Sequence, residues 1–202
     1  MSRQTLVRFV NAFCSVLVSP LYLIHALECS LTGKSLSFKS MAQFLALFPG
    51  HAGSLLRVAF LRAVMKDGHH DFHVDFLTTF VTHEVRIGRK VYIGAYCNIG
   101  LADIGDDTLI GTHVMITSGR TTHFFGDATT PIRLQGGRDA CVSIGRDCWI
   151  ANGAIVMADV GEGCVVAAGS VVVEPLPPYS IAGGVPAKVL GKRGEQKVRE
   201  TS

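Results

Sequence analysis

An aliphatic residue recurs every six positions through the second half of the chain, and that period leaves few folds open. Ile87, Ile93 and Ile99 begin it, and Ile104, Ile110 and Ile116 continue it after a five-residue step. Ile144, Ile150 and Val156 resume it beyond an interruption, and a four-residue step leads to Val160, Val166 and Val172. In nine of these twelve places the next residue is Gly or Ala. A strand alternates with period two and a helix turns every 3.6 residues, so neither gives an aliphatic–glycine pair every six. A fixed short period marks a stacked repeat, in which each unit buries its apolar face against its neighbours.

Composition narrows the function classes. With 48% hydrophobic and 17% charged residues, the 202-residue chain is the opposite of a disordered one and suits one domain with a modest appendage. A net charge of +3, from scattered Lys and Arg, leaves no electrostatic footprint for nucleic acid. Cys14, Cys29, Cys97, Cys141, Cys148 and Cys164 show no C-x-x-C spacing, which argues against a zinc ribbon or a dithiol redox site. The chain is too core-rich for a disulfide scaffold, so small buried thiols are expected.

The run I-G-R-K-V-Y-I-G-A-Y-C-N-I-G at 87–100, with its successors, resembles the hexapeptide-repeat acyltransferases. The likeness extends over about 83–193. It implies a left-handed parallel β-helix of triangular section, three hexapeptides to a coil, with the aliphatic residue and the residue four places on both facing inward. Those later positions are Val91, Cys97, Thr108, Val114, Cys148, Ala154, Cys164 and Ser170, all small, so three cysteines gain a packing role in a narrow interior. Glycine after the aliphatic residue is expected at a corner, where the lack of a Cβ relaxes backbone limits.

Residues 1–70 read as a separate apolar, helical region, 71–193 as the β-helix domain with a loop insert at 119–142, and 194–202 as a polar tail. No Asp, Glu, Lys or Arg occurs in 9–27, a stretch that as a helix would run roughly 28 Å. Pro20 is expected to kink or end that helix. A second apolar stretch, 44–65, is broken at Pro49-Gly50; its Leu55, Leu56, Ala59, Leu61 and Val64 can bury while Arg57 and Arg62 snorkel towards lipid headgroups. Three readings stay open for this region: a secretory signal, a soluble cap on the main domain, or a membrane contact that spans or lies in the interface. At 67–76, strand alternation puts Phe72, Val74 and Phe76 on one face and His69, Asp71, His73 and Asp75 on the other. A solvated polar face accounts for these histidines without a metal.

The chemistry is expected in the insert, since a rigid scaffold carries function on its loops. In sugar O-acetyltransferases of the resembled family a histidine on the corresponding loop is the general base, and His123 matches it. A neutral imidazole accepts a hydroxyl proton at neutral pH, where an unperturbed carboxylate is too weak a base. The insert holds no nucleophile motif, so direct attack on the acetyl thioester of acetyl-CoA is implied, without a covalent enzyme intermediate. His113, at an outward place of its hexapeptide, is the second choice; with Asn98 and Tyr96 it is assigned to acceptor binding. The C-terminal run V-V-A-A-G-S-V-V-V-E-P-L-P-P-Y at 165–179 resembles the family's last coil and proline-anchored exit. On that likeness Asn152, Ala168 and Gly169 line the pantetheine channel, and Lys188, Lys192 and Arg193 meet the nucleotide phosphates. Glu174 departs from the Lys common at its place, and Trp149 is expected at a subunit seam.

The resemblance implies a homotrimeric, acetyl-CoA-dependent O-acetyltransferase acting on a saccharide or glycan hydroxyl. It would lie in the cytoplasm, where acetyl-CoA is found, and on the membrane-contact reading its N-terminal region would touch the inner membrane surface. An amino-sugar N-acetyltransferase and a non-catalytic β-helix assembly protein are the rivals. A zinc enzyme on this scaffold would need three histidines, and only His113 and His123 lie in the repeat beyond His83, so no metal is expected.

Overall fold

The computed structural model describes residues 3–65 and 71–195. His69 of the histidine cluster and most of the polar tail lie outside the described residues. Short strands wind in coils of three. The first coil holds β1 (Phe72–Val74), β2 (Thr79–Phe80) and β3 (Arg86–Ile87). The second holds β4 (Val91–Ile93), β5 (Asn98–Ile99) and β6 (Ala102–Ile104); the third holds β7 (Leu109–Ile110), β8 (Met115–Ile116) and, after the insert, β9 (Val142–Ile144). The fourth coil has β10 (Trp149–Ile150) and β11 (Ile155–Val156), the fifth β12 (Val165–Val166) and β13 (Val171–Val172), and each closes its third side with a single bridge residue, Val160 or Leu176. Last come β14 (Ser180–Gly184), parallel to β12, and β15 (Ala187–Lys192), which turns back antiparallel along β14.

Like strands stack into three parallel sheets, the sides of a prism: side A (β1-β4-β7-β10-β12-β14, then β15), side B (β2-β5-β8-β11-β13) and side C (β3-β6-β9 and the bridges). This is the expected parallel β-helix. All twelve period-six aliphatics are buried, as are the eight small residues four places on. The interior is more than packing, because its small residues donate hydrogen bonds to corner carbonyls of the next coil. Cys97 Sγ lies 3.1 Å from Gly111 O, Thr108 Oγ1 2.9 Å from Gly145 O, Cys148 Sγ 3.1 Å from Gly161 O and Cys164 Sγ 3.0 Å from Pro177 O.

The expected reason for the glycines is corrected. Gly94, Gly105 and Gly145 do not have the positive φ that would call for glycine; they stand where the next coil's backbone comes close. A Cβ on Gly145 would lie 2.4 Å from Glu162 N, and one on Gly105 2.5 Å from Arg146 N. The left-handed corner positions fall elsewhere and mostly carry side chains, among them Tyr96 (φ 60°), His113 (φ 58°) and Asp147 (φ 53°).

The N-terminal region is a cap of three helices, α1 (Arg3–Thr32), α2 (Leu36–Ala46) and α3 (Gly50–Val64), packed on β1 and β2. Three expectations fail in the cap and where it meets β1. Helix α1 continues through Pro20: the carbonyl that proline's missing N–H would have served is Val16 O, and Ser19 Oγ donates to it at 2.8 Å. Arg57 does not snorkel. It is 2% exposed and staples α3 to its neighbours, donating to Phe48 O (2.7 Å), Leu45 O (3.2 Å) and Val74 O (3.3 Å). Arg62 is half-buried, its guanidinium 5.9 Å from the centre of the Phe72 ring. His73 is not on a solvated face either; it stacks on Tyr92 and meets Ser54 Oγ of α3 at 3.1 Å. Cap and coils share one apolar core running from Val18, Phe38 and Phe60 into Phe80 and Ile99.

Candidate active site

The edge joining sides A and B gathers six of the ten candidate residues. The backbone N–H groups of Tyr96, His113, Gly153 and Gly169 each donate at 2.9 Å to the coil before, on Phe76, Ala95, Thr112 and Asn152 O respectively, so these four positions stack one per coil. Toward the cap this edge is aromatic: Tyr96 and His113 stack with ring centres 4.8 Å apart and planes 7° apart, and Phe76 meets Tyr96 edge-on. Beyond His113 it is bare backbone. A Cβ on Gly169 would meet nothing within 4 Å, and Asn152 and Ala168 beside it are exposed. The Asn152 side chain turns inward along the edge, its Oδ1 accepting the Thr112 N–H at 3.0 Å. Asn98 lies on side B, two residues from Tyr96, and donates to Thr79 Oγ1 at 2.9 Å. An exposed strip of backbone beginning at an aromatic step suits a narrow, extended, amide-containing ligand.

His123 lies elsewhere. The insert leaves at the edge between sides B and C as a two-armed ribbon, held by Ala140 N to Ser118 O (2.8 Å), Arg138 N to Thr121 O (2.7 Å) and Phe124 N to Gly136 O (2.9 Å). Gly137 is required there, since a Cβ would lie 1.9 Å from Thr122 O. The ribbon's far end is pinned by Gln135 Nε2, which donates to Asp127 O and Thr130 O at 2.7 Å each. Hydrogen bonds from Thr130 and Thr129 hold the Asp127 carboxyl well below the usual carboxylate range. Arg120 pairs at 2.6 Å with Glu174, which ties the insert's base to the fifth coil and gives the departure at Glu174 a structural partner. His123 is thus exposed on a well-anchored arm, with side B between it and the strip at Tyr96, His113, Asn152 and Gly169.

The three basic candidates separate. Lys188 faces Gly183 in register, at the end of β14 where Gly184 N donates to Ser170 Oγ at 3.2 Å, so it belongs to the A–B edge with Ala168 and Gly169. Lys192 faces Ser180 at the opposite end of β14, on the edge between sides C and A. Arg193 is already engaged on that far edge, with Nη1 2.9 Å from both Asp147 O and Asp147 Oδ2 and 3.3 Å from Gly163 O. Gly153 and Gly137 were missed as site residues. For Gly153 a signal existed, since it precedes Gly169 by the same step that separates Ile150 from Val166. Among the described residues no group of three or more His, Cys, Asp or Glu is placed to hold a metal ion.

No protein-family profile matches the chain. Curated relatives do. A probable acetyltransferase of Mycobacterium tuberculosis is 36% identical over 131 residues, 60% of this chain and 42% of that protein. A probable macrolide acetyltransferase of Lysinibacillus sphaericus is 33% identical over 135 residues, 62% of this chain and 72% of that protein. Among solved structures, a hexapeptide-repeat acetyltransferase of Vibrio cholerae superposes with a TM-score of 0.64 at 26% identity, covering 77% of this chain and 90% of that one. That protein is also solved in complex with acetyl coenzyme A. The fold these comparisons define is a left-handed β-helix acetyltransferase fold. The chain belongs to the hexapeptide-repeat acetyltransferase family. It spans about half the length of several of the curated relatives it matches.

Proposed function

We propose that the protein is an acetyl-CoA-dependent O-acetyltransferase acting on a saccharide hydroxyl, working as a homotrimer with each site shared between two subunits. The observation that carries this reading is the separation of two half-sites: a bare backbone strip on the A–B edge and an exposed histidine on the B–C edge. One chain cannot bring them together, whereas packed prisms set the A–B edge of one subunit beside the insert of the next. The outward residues of the sides suit such packing. Sides A and B present Leu109, Trp149 and Met115, while side C presents charge, with Arg86 near Asp103.

In this arrangement the pantetheine arm runs along Asn152, Gly153, Ala168 and Gly169, held by backbone contacts, and Lys188 meets a phosphate of the nucleotide. The acceptor lies against the Tyr96–His113 stack and Asn98. His123 takes the proton of the acceptor hydroxyl as its oxygen attacks the thioester carbonyl. The new C–O bond forms a tetrahedral oxyanion, which backbone N–H groups of a coil stabilise. Collapse breaks the C–S bond, and the thiolate of coenzyme A leaves with the proton from His123. The donor is cytoplasmic, which sets the protein there, and the helical cap brings it to a membrane surface that carries glycan acceptors.

The test is release of free thiol from acetyl-CoA against a panel of sugars, glycans and amino sugars. Transfer to a hydroxyl acceptor, abolished in a folded, trimeric His123→Ala variant, is expected. Mixed trimers of His123→Ala with Gly169→Trp should regain activity, because some sites then combine two intact halves. Acetylation of amines alone would select the N-acetyltransferase, and near-normal turnover by His123→Ala would remove the general base.

A further inference from the structure

The amphipathic pattern of α1 is inside out. Its inner face buries Cys14, Val18 and His25 and turns Asn11, Ser15 and Ser19 toward the seam with α3, while its outer face shows Phe9, Phe13, Val16, Leu23, Leu27 and Leu31 to solvent. The outer side chains are 55–75% exposed, among them Phe9 at 68% and Leu31 at 75%. At 1.5 Å per residue they make a strip about 33 Å long. Single exposed apolar residues are ordinary, but a continuous stripe of this length marks a contact surface. Helix α2 adds exposed Leu36 and Phe44.

Charge names the occupant. Residues 1–66 hold Arg3, Arg8, Lys34, Lys39, Arg57, Arg62 and Lys66 against one acid, Glu28, a formal net charge of +6 where the whole chain carries +3. Glu28 is turned inward and consumed: its carboxylate accepts from the N–H groups of Leu36 (3.1 Å) and Ser37 (2.9 Å), capping α2. Arg8, Lys34 and Lys39 are exposed near the two ends of the stripe. A second copy of this surface would meet it with like charge, whereas an anionic lipid surface complements both its apolar and its cationic parts.

We infer that α1 lies flat on an anionic phospholipid bilayer, as an in-plane anchor and not as a span. The stretch Arg8–Thr32 is long and apolar enough to cross a membrane. Crossing would, however, strip its inner face from α3, expose buried His25 and break the Glu28 cap. In-plane docking buries the outer stripe and leaves those contacts intact. The inference deepens the reading of the cap as a membrane contact by naming the lipid class and the mode of binding.

Flotation of the full-length protein with vesicles of phosphatidylcholine alone, or mixed with phosphatidylglycerol, tests it. Binding to the anionic vesicles, weakened by salt, is expected, with little to the neutral ones. Lys34→Gln with Lys39→Gln should weaken binding about 25-fold, at about fivefold per cation. Leu23→Ser with Leu27→Ser should weaken it at least about tenfold. Neither pair should change acetyl transfer to a soluble acceptor. Equal binding to both vesicle types would keep the membrane contact and overturn the anionic assignment. Absence of flotation with either would overturn both. A change of oligomeric state in the Leu23→Ser, Leu27→Ser protein would give the face to another copy of the chain and overturn the inference.

Discussion

Removing the positive charge of Lys188 or of Arg193 should damage the protein in two different ways. Arg193 is spent on structure: its guanidinium bonds Asp147 O at 2.9 Å and Gly163 O at 3.3 Å and pairs with the Asp147 carboxylate. The ion pair is 43% and 60% exposed, so screening leaves it under about 1 kcal/mol. The two carbonyl contacts add about 1 kcal/mol each, for a total of about 1–3 kcal/mol. At about 2–4 °C per kcal/mol for a chain of this size, Arg193→Gln should lower the Tm by about 2–12 °C. Its KM for acetyl-CoA should hold. Lys188 is exposed at the A–B edge and is free for a phosphate. A charge-assisted contact of about 1.5–3 kcal/mol gives Lys188→Gln a KM for acetyl-CoA raised about 10- to 100-fold, with kcat kept and Tm unmoved. Steady-state thiol release and thermal unfolding of both variants check the pair. An Arg193→Gln protein with unchanged Tm and a KM raised as far as that of Lys188→Gln would refute the separation of the two edges into a binding strip and a structural clasp.

Thr108→Val keeps the shape but leaves Gly145 O and Cys148 N without their partner at a fully buried site, so it should cost about 2–4 kcal/mol in chemical denaturation, with Thr108→Ser restoring most of it. A cost below about 0.5 kcal/mol would show that the interior hydroxyl is mere filler. Burial pushes the Cys148 thiol up to about 11 and raises Cys97 and Cys164 as well, so alkylation of the folded protein should reach exposed Cys141 and half-buried Cys29 well before these three. Peptide mass spectrometry gives the order, and early labelling of Cys148 would contradict the coil packing. Hydrogen bonds from Ser37 and Leu36 hold the Glu28 carboxyl below its ordinary value of 4.5. A depressed carboxyl stabilises the fold above its unfolded pKa and loses that contribution as pH falls through the lowered folded value. The protection factors of the Leu36 and Ser37 amides, measured against their intrinsic exchange rates at each pH, should therefore fall on acidification below pH 4.5 and lose this dependence in Glu28→Gln.

The period of six made the coils legible, because each aliphatic residue meets the same interior in every coil and nothing else imposes that spacing. Two sides of the first coil escaped it: Val74 and Phe80 are six apart, but Phe80 is aromatic and lies seven residues before Ile87, where the regular period begins. Glycine positions were right for the wrong reason, since their cause is the distance to the next coil, which no single-chain pattern contains. Thr108 and the three interior cysteines read as small side chains; that they also donate across coils depends on carbonyls as many as 37 residues away. Pro20 and Arg57 went astray because local rules ignore a neighbouring hydroxyl and a buried set of helix-end carbonyls. Candidate residues could be placed on coils from their place in the repeat. Their distribution over the three edges could not, because the insert at 119–142 hides the edge from which His123 departs.

Strand β15 decides something the repeat itself leaves open, namely where the stack stops. A parallel coil ends in a row of unpaired N–H and C=O groups, and the next copy of the molecule could continue it into a filament. At one end α2 and α3 pack over β2 and β1. At the other the chain reverses at Gly184, and β15 pairs antiparallel with β14 from Ala187 to Lys192, with a register shift at Ile181 and Ala182. The reversal presents an irregular, lysine-bearing outer edge in place of a flat template. A stack that could otherwise be propagated indefinitely is thereby given a fixed length, and a molecule of finite size is separated from a fibre by six residues.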